Sequence, residues 1–211
     1  VDESRFTPQP QPELAAKLGI EPNDFVVGFV GRFVEEKGLL TLLSALSGLH
    51  DRPWKWLLLG RGPLQSVLME TAAEKGLKER LILVESVPHD EVPRYINLMS
   101  TLVLPSETTY KFKTLTAAGW KEQFGHVLIE AMACGVPVIG SDSGEIPHVI
   151  DEAGLVFPEG DAQALQNCLV QLMENAEKRQ QLAELGYQRA MMHYTNKALA
   201  KQLLEFYKEI V

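Results

Sequence analysis

Cysteine and long apolar runs are both scarce in this 211-residue sequence. Its two cysteines, Cys134 and Cys168, lie in predicted helices with no Cys or His nearby at the spacing of metal ligands. We therefore predict neither a disulfide nor a zinc site, and we interpret both thiols as small buried groups in a reducing compartment. A membrane-spanning helix needs about 20 apolar residues, and no run approaches that length. Because a signal pattern is also missing, we expect a cytoplasmic protein.

Clusters of basic residues are missing as well. The formal net charge is −8, from 28 acidic and 20 basic residues. Proteins that bind nucleic acids hold the phosphate backbone with clustered Lys and Arg. We therefore predict no nucleic-acid partner, and an anionic small ligand would need a local group of cations.

Several motifs of enzyme chemistry do not occur. The sequence has no Ser/His/Asp order, no His-Glu-x-x-His, no EF-hand spacing and no Walker motif. It also has no Asp-x-Asp, the pair that holds a nucleotide diphosphate through a divalent metal. We therefore predict no metal in the site.

The chain begins without methionine, and its first dozen residues are polar and rich in proline, like a linker. We therefore expect further protein upstream of it. We divide the chain into a linker with a first helix at 1–20, an α/β domain at 21–195 and a C-terminal helix at 196–211.

Apolar runs and helical patterns alternate along most of the chain. The runs are FVVGFV from Phe25, WKWLLLG from Trp54, LILV from Leu81, TLVLP from Thr101, VPVIG from Val136 and GLVFP from Gly154. Apolar faces of predicted helices are formed by Leu39, Leu40, Leu42, Leu43 and Leu46, by Leu64, Val67, Leu68 and Ala72, and by Val92, Tyr95, Ile96 and Met99. Runs without polar alternation are typical of parallel strands buried on both faces. The pattern predicts a doubly wound, Rossmann-like parallel sheet of about six strands, flanked and followed by helices, with ligands at the carboxyl ends of the strands.

The stretch GFVGRFVEEKG includes the end of the first predicted strand and leads into a helix. Gly28 and Gly31 allow a close backbone turn, and Arg32 and Lys37 place two cations near a helix N-terminus. This arrangement would suit a diphosphate. A tight turn with two solvated surface charges explains the same residues, and spacing alone does not decide between them. The later GRGPL, from Gly60, is an incomplete dinucleotide fingerprint that we interpret as a close turn.

Two carboxylates, Glu122 and Glu130, stand on either side of a Phe-Gly turn in the apolar stretch EQFGHVLIEAMACGVPVIG. A helix is predicted to begin after Gly125 and to end near Cys134, with Gly135 as a left-handed cap. Burying a carboxylate is costly unless it is paired, so both need a reason. One explanation is that the two carboxylates bind the hydroxyls of a ribose and of a sugar. The other is structural: one carboxylate caps a helix, and the other is partly buried and paired with a neighbouring donor.

Six stretches follow one another along the chain: VGRFVEEKG, LLLGRGP, LPS, EQFGHVLIE, EAMACGVPVIGSDSGEIPHVI and GLVFPEGD. Together they resemble the C-terminal half of the group 1 (family 4) retaining glycosyltransferases, which have the GT-B fold. The resemblance covers nearly the whole chain. Its most specific part is the Glu-x7-Glu pair within the Ala-Met-Ala-Cys-Gly-Val-Pro context.

The resemblance implies that residues 21–195 are the nucleotide-sugar-binding lobe of a two-lobe enzyme. This enzyme would transfer a hexosyl group from a UDP, GDP or ADP sugar to an unknown acceptor, without a cofactor. An N-terminal acceptor-binding domain of the same protein would be the partner. Any peripheral membrane contact would come through that domain, and the helix at 196–211 would return toward it.

Residue matching assigns the catalytic roles to Glu122, Arg32 and Lys37. The two cations would hold the donor diphosphate, Glu122 would meet the donor sugar and Glu130 the ribose. The turn at 86–88, which includes Val87, would lie beside the base. The other donor-binding positions implied by the resemblance are Gly31, Phe124, Gly125, His126 and Val127.

One stretch departs from the family pattern. Between Ser106 and Glu122 the chain inserts residues 107–121, where the family usually needs only a few. A longer loop at the rim of the sheet would cover the site, dock on the other lobe, contact the acceptor or remain disordered. The donor and the acceptor therefore stay open.

Three alternative functions remain open from the sequence. The first is a sugar-nucleotide epimerase of the same two-lobe architecture. The second is a non-catalytic module that only binds a nucleotide sugar. The third, a nicotinamide-binding Rossmann domain, is disfavoured by the incomplete glycine fingerprint.

Overall fold

The computed structural model describes residues 1–111 and 119–210. Within them, six strands form one parallel sheet in the order β3-β2-β1-β4-β5-β6. The strands are β1 (Phe25–Val30), β2 (Trp54–Leu59), β3 (Leu81–Val84), β4 (Thr101–Leu104), β5 (Val138–Ser141) and β6 (Gly154–Phe157). The predicted doubly wound sheet is therefore confirmed. The strand order reverses direction between β1 and β4, which opens a crevice at their carboxyl ends.

Helices connect the strands and close the chain. They are α1 (Pro12–Lys17), α2 (Leu39–Ser47), α3 (Gln65–Glu74), α4 (Val92–Ile96), α5 (His126–Ala133), α6 (Ile146–Ile150), α7 (Ala162–Glu174), α8 (Ala176–Arg189) and α9 (Asn196–Ile210). A π-helical turn at Ala190–Tyr194 joins α8 to α9. Asp161 caps α7, because its Oδ1 accepts a hydrogen bond from the amide of Ala164 at 2.9 Å.

The core lies on both faces of the central strands. Val26 and Val27 of β1 point to opposite faces of the sheet, as do Leu57 and Leu58 of β2, and all four are buried. Covering by helices on both faces explains why these strands are apolar at nearly every position. Because both faces of the sheet are covered, polar side chains lie at the ends of the strands.

Some local expectations need correction. Leu40 and Val67 are exposed, although their spacing put them on the apolar faces of α2 and α3. β5 begins at Val138 rather than Val136, because Pro137 has no N–H for the ladder and contributes only its carbonyl, to the Leu102 amide at 3.0 Å. Cys134 follows the last residue of α5 instead of lying inside it.

The N-terminal segment packs on the domain. Phe6 is buried, and the amide of Gln9 donates to Oδ1 of Asn97 at 2.8 Å. The Asn97 side chain in turn donates to the carbonyl of Thr7 at 3.0 Å. Residues 6–9 are therefore fixed against the end of α4.

Both thiols are buried, as the sequence predicted. Burial raises the pKa of Cys134 to about 12, and it raises the pKa of Cys168 as well. The thiolate is the reactive form of cysteine. These side chains are therefore packing groups rather than nucleophiles.

The inserted segment is described in part. Residues 112–118 of the predicted 107–121 insertion lie outside the described residues, as does Val211 of the predicted 196–211 helix. Thr109 and Trp120 form an antiparallel bridge on either side of the gap. In the part of the chain that is described, no helix combines the length and the apolar character needed to cross a membrane.

Candidate functional site

The candidate site lies at the rim of the sheet where β1 and β4 diverge. The loop after β1 carries Gly31, whose amide donates to the carbonyl of Leu59 at 3.0 Å. The loop after β4 carries Glu107, whose amide donates to the carbonyl of Glu36 at 2.9 Å. The two loops are thereby joined across the crevice, which is the usual ligand position in open α/β sheets.

Lys37 and Glu122 form an ion pair in this crevice. Nζ of Lys37 contacts Oε2 of Glu122, and the two side chains are only 17% and 10% exposed. The hydroxyl of Ser106 donates to the same carboxylate oxygen at 2.8 Å. Two donors, the ammonium of Lys37 and the hydroxyl of Ser106, thus hold the Glu122 carboxylate in place. The structure brings together two of the three residues with predicted catalytic roles.

The third residue, Arg32, is exposed to solvent, unlike Lys37 and Glu122. Its side chain is 73% exposed, and Nη2 lies 3.8 Å from Oε1 of Glu36. An exposed ion pair at this distance contributes little to order. The predicted pair of cations therefore consists of one fixed ammonium, at Lys37, and one guanidinium in solvent.

The backbone of Glu122 is held by the loop that follows β5. The carbonyl of Glu122 accepts a hydrogen bond from the amide of Glu145 at 3.0 Å. Gly144 has φ +57°, and a Cβ added there would lie 1.9 Å from the carbonyl oxygen of Glu122. The turn within the stretch GSDSGEIP therefore positions the backbone of Glu122.

Glu130 forms a second polar group one turn into α5. Its Oε1 lies 3.4 Å from Nε2 of His89, and the two side chains are 18% and 67% exposed. Burial raises the pKa of the Glu130 carboxyl, while the nearby His89 and His126 oppose that rise. Val87, predicted beside the base, stands two residues before His89 and is half-buried. The turn and the carboxylate are therefore neighbours.

The N-terminus of α5 lies between the two carboxylates in the chain. Gly125 takes the left-handed conformation at the N-cap and, as a glycine, offers no side chain to cap the helix. The first amides of a helix have no acceptor within it and attract anions. The ring of Phe124 packs on that of His126 with centroids 4.8 Å apart, and both Phe124 and Val127 are half-buried.

Three contacting residues were not identified from the sequence. Ser106 and His89 hydrogen-bond to the two carboxylates, and the ring centroid of Trp120 lies 5.3 Å from Nζ of Lys37. Ser106 lies in the quoted LPS stretch, which was a usable signal. His89 is distant in the chain from Glu130, as Trp120 is from Lys37, and no local pattern marks either contact. Among residues 1–111 and 119–210, no group of three or more His, Cys, Asp or Glu side chains is placed to hold a metal ion.

Comparison with known sequences gives one family. The profile described as "Glycosyl transferases group 1" matches residues 10–189. The amylovoran biosynthesis glycosyltransferase AmsK of Erwinia amylovora is 33% identical over 175 residues, which are 75% of this chain and 41% of that protein. The chain spans about half the length of the curated relatives that it matches.

Comparison with solved structures agrees. The C-terminal domain of the group 1 protein LpcC from Francisella tularensis superposes with a TM-score of 0.78 at 22% identity, covering 93% of this chain and 99% of that one. HepE from Anabaena, solved in complex with UDP and glucose, gives 0.83 at 24% identity, covering 99% of this chain and 55% of that one. These similarities show that the fold is that of a GT-B C-terminal lobe.

Proposed function

This chain belongs to the group 1 glycosyltransferase family, and we propose that it is the donor-binding domain of a metal-independent, retaining hexosyltransferase. It spans about half of its relatives, so an acceptor-binding domain and further catalytic groups would lie elsewhere in the full-length protein. By itself the chain would bind the nucleotide sugar without transferring it.

The observation that supports this proposal most directly is the ion pair of Lys37 and Glu122 in the crevice. An ammonium offers three donors, and Glu122 occupies the direction of one. A second donor would meet a phosphate oxygen, while the carboxylate would use its remaining lone pairs for sugar hydroxyls. The pair of Lys37 and Glu122 would thus bind both the diphosphate and the sugar of the donor.

The chemistry follows from where charge develops. Breaking the bond between the sugar and the diphosphate makes the leaving group more negative and the anomeric carbon more positive. Fixed donors stabilise such a leaving group best when they need no reorganisation. Lys37 and the first amides of α5 fit that role, and Arg32 would close on the diphosphate from solvent.

Glu130 would recognise the ribose. A carboxylate accepts hydrogen bonds from two adjacent hydroxyls, and Glu130 stands one turn into α5 beside the turn that includes Val87. The base would lie against that turn. UDP is the first candidate, because HepE was solved in complex with UDP.

Nucleotide binding by this chain should weaken on acidification because of Glu130. Its pKa is raised by burial, so protonation begins at a higher pH than for an ordinary Glu. Protonation removes a charged acceptor, whose loss costs about 1.5–3 kcal/mol, roughly ten- to a hundredfold in affinity. The same protonation does not destabilise the fold, because a raised pKa means that the folded state binds this proton more tightly than the unfolded state.

The measurement is the dissociation constant of UDP as a function of pH, for the unaltered chain and for Glu130→Gln. The variant should bind more weakly at neutral pH and lose the acid-dependent step. His89 and His126 face the same carboxyl, so His89→Ala serves as the comparison. This substitution removes a side chain that lowers the pKa of Glu130. The loss of affinity on acidification should therefore begin at a higher pH. A step that is retained in Glu130→Gln would contradict the ribose role.

The function itself is tested by thermal shift with UDP, GDP and ADP and with their hexose derivatives. A ligand at a hundred times its Kd stabilises the folded chain by about 2.7 kcal/mol. At least one nucleoside diphosphate should raise the melting temperature, and the chain alone should show no acceptor-dependent turnover. No shift with any of them would contradict the proposal, and release of an isomerised sugar nucleotide would indicate an epimerase instead.

A further inference from the structure

A short stem, formed where two segments of the chain pair through an antiparallel bridge, stands beside the ion pair. It consists of residues 107–111 and 119–121, and it is closed by two hydrogen bonds between Thr109 and Trp120, at 3.0 and 2.7 Å. Gly119 has φ +121°, and a Cβ added there would lie 2.8 Å from the carbonyl oxygen of Thr109. The stem is therefore tightly closed next to Trp120.

The stem is anchored on both sides of the crevice. Glu107 at its base bonds through its amide to the carbonyl of Glu36, next to Lys37, at 2.9 Å. Thr108 donates from its amide and its hydroxyl to Oε2 of Glu159, after β6, at 2.9 and 2.8 Å. These contacts fix the stem relative to the loop that carries Lys37.

Trp120 and Glu122 contact Lys37 together. The ammonium lies 5.3 Å from the centroid of the indole ring and contacts Oε2 of Glu122. Tryptophan is the best aromatic partner for a cation. A lysine side chain has a flexible four-carbon stem, so contact with a ring and a carboxylate restricts it to one position.

We propose that Trp120 is a positioning residue, which holds the Lys37 ammonium where the donor's diphosphate binds. The stem thereby makes the site selective for a nucleoside diphosphate over the corresponding monophosphate. This rests on the proposed function, since Lys37 is the group through which Trp120 acts.

The test compares binding of UDP, GDP and ADP with binding of UMP, GMP and AMP to the full chain. Trp120→Leu should weaken diphosphate binding on the order of three- to thirtyfold and leave monophosphate binding unchanged. Trp120→Phe, which keeps an aromatic face, should recover most of the loss. Gly119→Ala should show the same selective loss, because it displaces the stem without removing the ring.

Tyr110→Ala is the matched control, because this exposed ring belongs to the same stem and lies by Gly119. It should leave both affinities unchanged. Equal losses for diphosphates and monophosphates, or no loss in Trp120→Leu, would overturn the positioning role while the proposed function stands. Failure of the unaltered chain to bind any of the three diphosphates would overturn both.

Discussion

Replacing Lys37 with alanine in the full-length enzyme is expected to slow sugar transfer about a hundred- to a thousandfold. The reason is the loss of a fixed cation at the leaving diphosphate, comparable to the loss of one oxyanion donor at about 2.7–4 kcal/mol. Arg32→Ala should cost less, because that guanidinium is exposed and has to be ordered on binding. Steady-state rates with saturating donor measure both effects.

Lys121→Ala is the charge control, since this exposed lysine lies next to Glu122 in the chain. It should leave the rate unchanged. Removing Lys37 alone also leaves the buried Glu122 carboxylate without a counter-charge, at a cost of about 3–5 kcal/mol in stability. The double variant Lys37→Met/Glu122→Gln should recover that stability and remain inactive, which separates folding from function. A Lys37→Ala enzyme with an unchanged rate would refute the role of the cation.

The second large effect is expected at Gly144. Alanine there would have to adopt φ +57° and would bring its Cβ to 1.9 Å from the carbonyl oxygen of Glu122. The backbone strain costs about 1–3 kcal/mol, and overpacking adds about 1–3 kcal/mol. Because relief of the contact moves Glu122, we expect Gly144→Ala to lower both the free energy of unfolding and the affinity for the sugar nucleotide.

Gly76→Ala is the control that separates backbone strain from the steric contact with Glu122. Gly76 has φ +68°, and a Cβ there would meet no atom within 4 Å. This variant should lose only the strain contribution and should keep full affinity. Urea unfolding gives the stability difference, and calorimetry with the donor gives the affinity. Equal stability losses in the two variants, with affinity retained in both, would show that the contact with Glu122 is unimportant.

The fold could be predicted because its signals are local. All six apolar runs became strands, and Gly135 has the left-handed conformation that the sequence predicted after α5. The errors also have local causes. Leu40 and Val67 follow the helical spacing but point away from the sheet, and spacing cannot show how wide a helix face is covered.

The site could be predicted only in part. The approach of Lys37 to Glu122 followed from the family resemblance, whereas residue spacing left a structural explanation equally open. The positions of Ser106, His89 and Trp120 depend on how distant loops meet at the strand ends. The different surroundings of Arg32 and Lys37 are equally non-local, since both occur in one glycine-bounded stretch.

The distribution of tryptophan has a practical consequence. The chain has three, and Trp54 and Trp56 are buried in β2, whereas Trp120 is half-buried beside Lys37. We expect the two indoles in the sheet to give a constant fluorescence background and the third to emit from the edge of the crevice. Occupancy of the crevice can therefore be followed through intrinsic emission, without a dye and with the signal assigned to a single side chain.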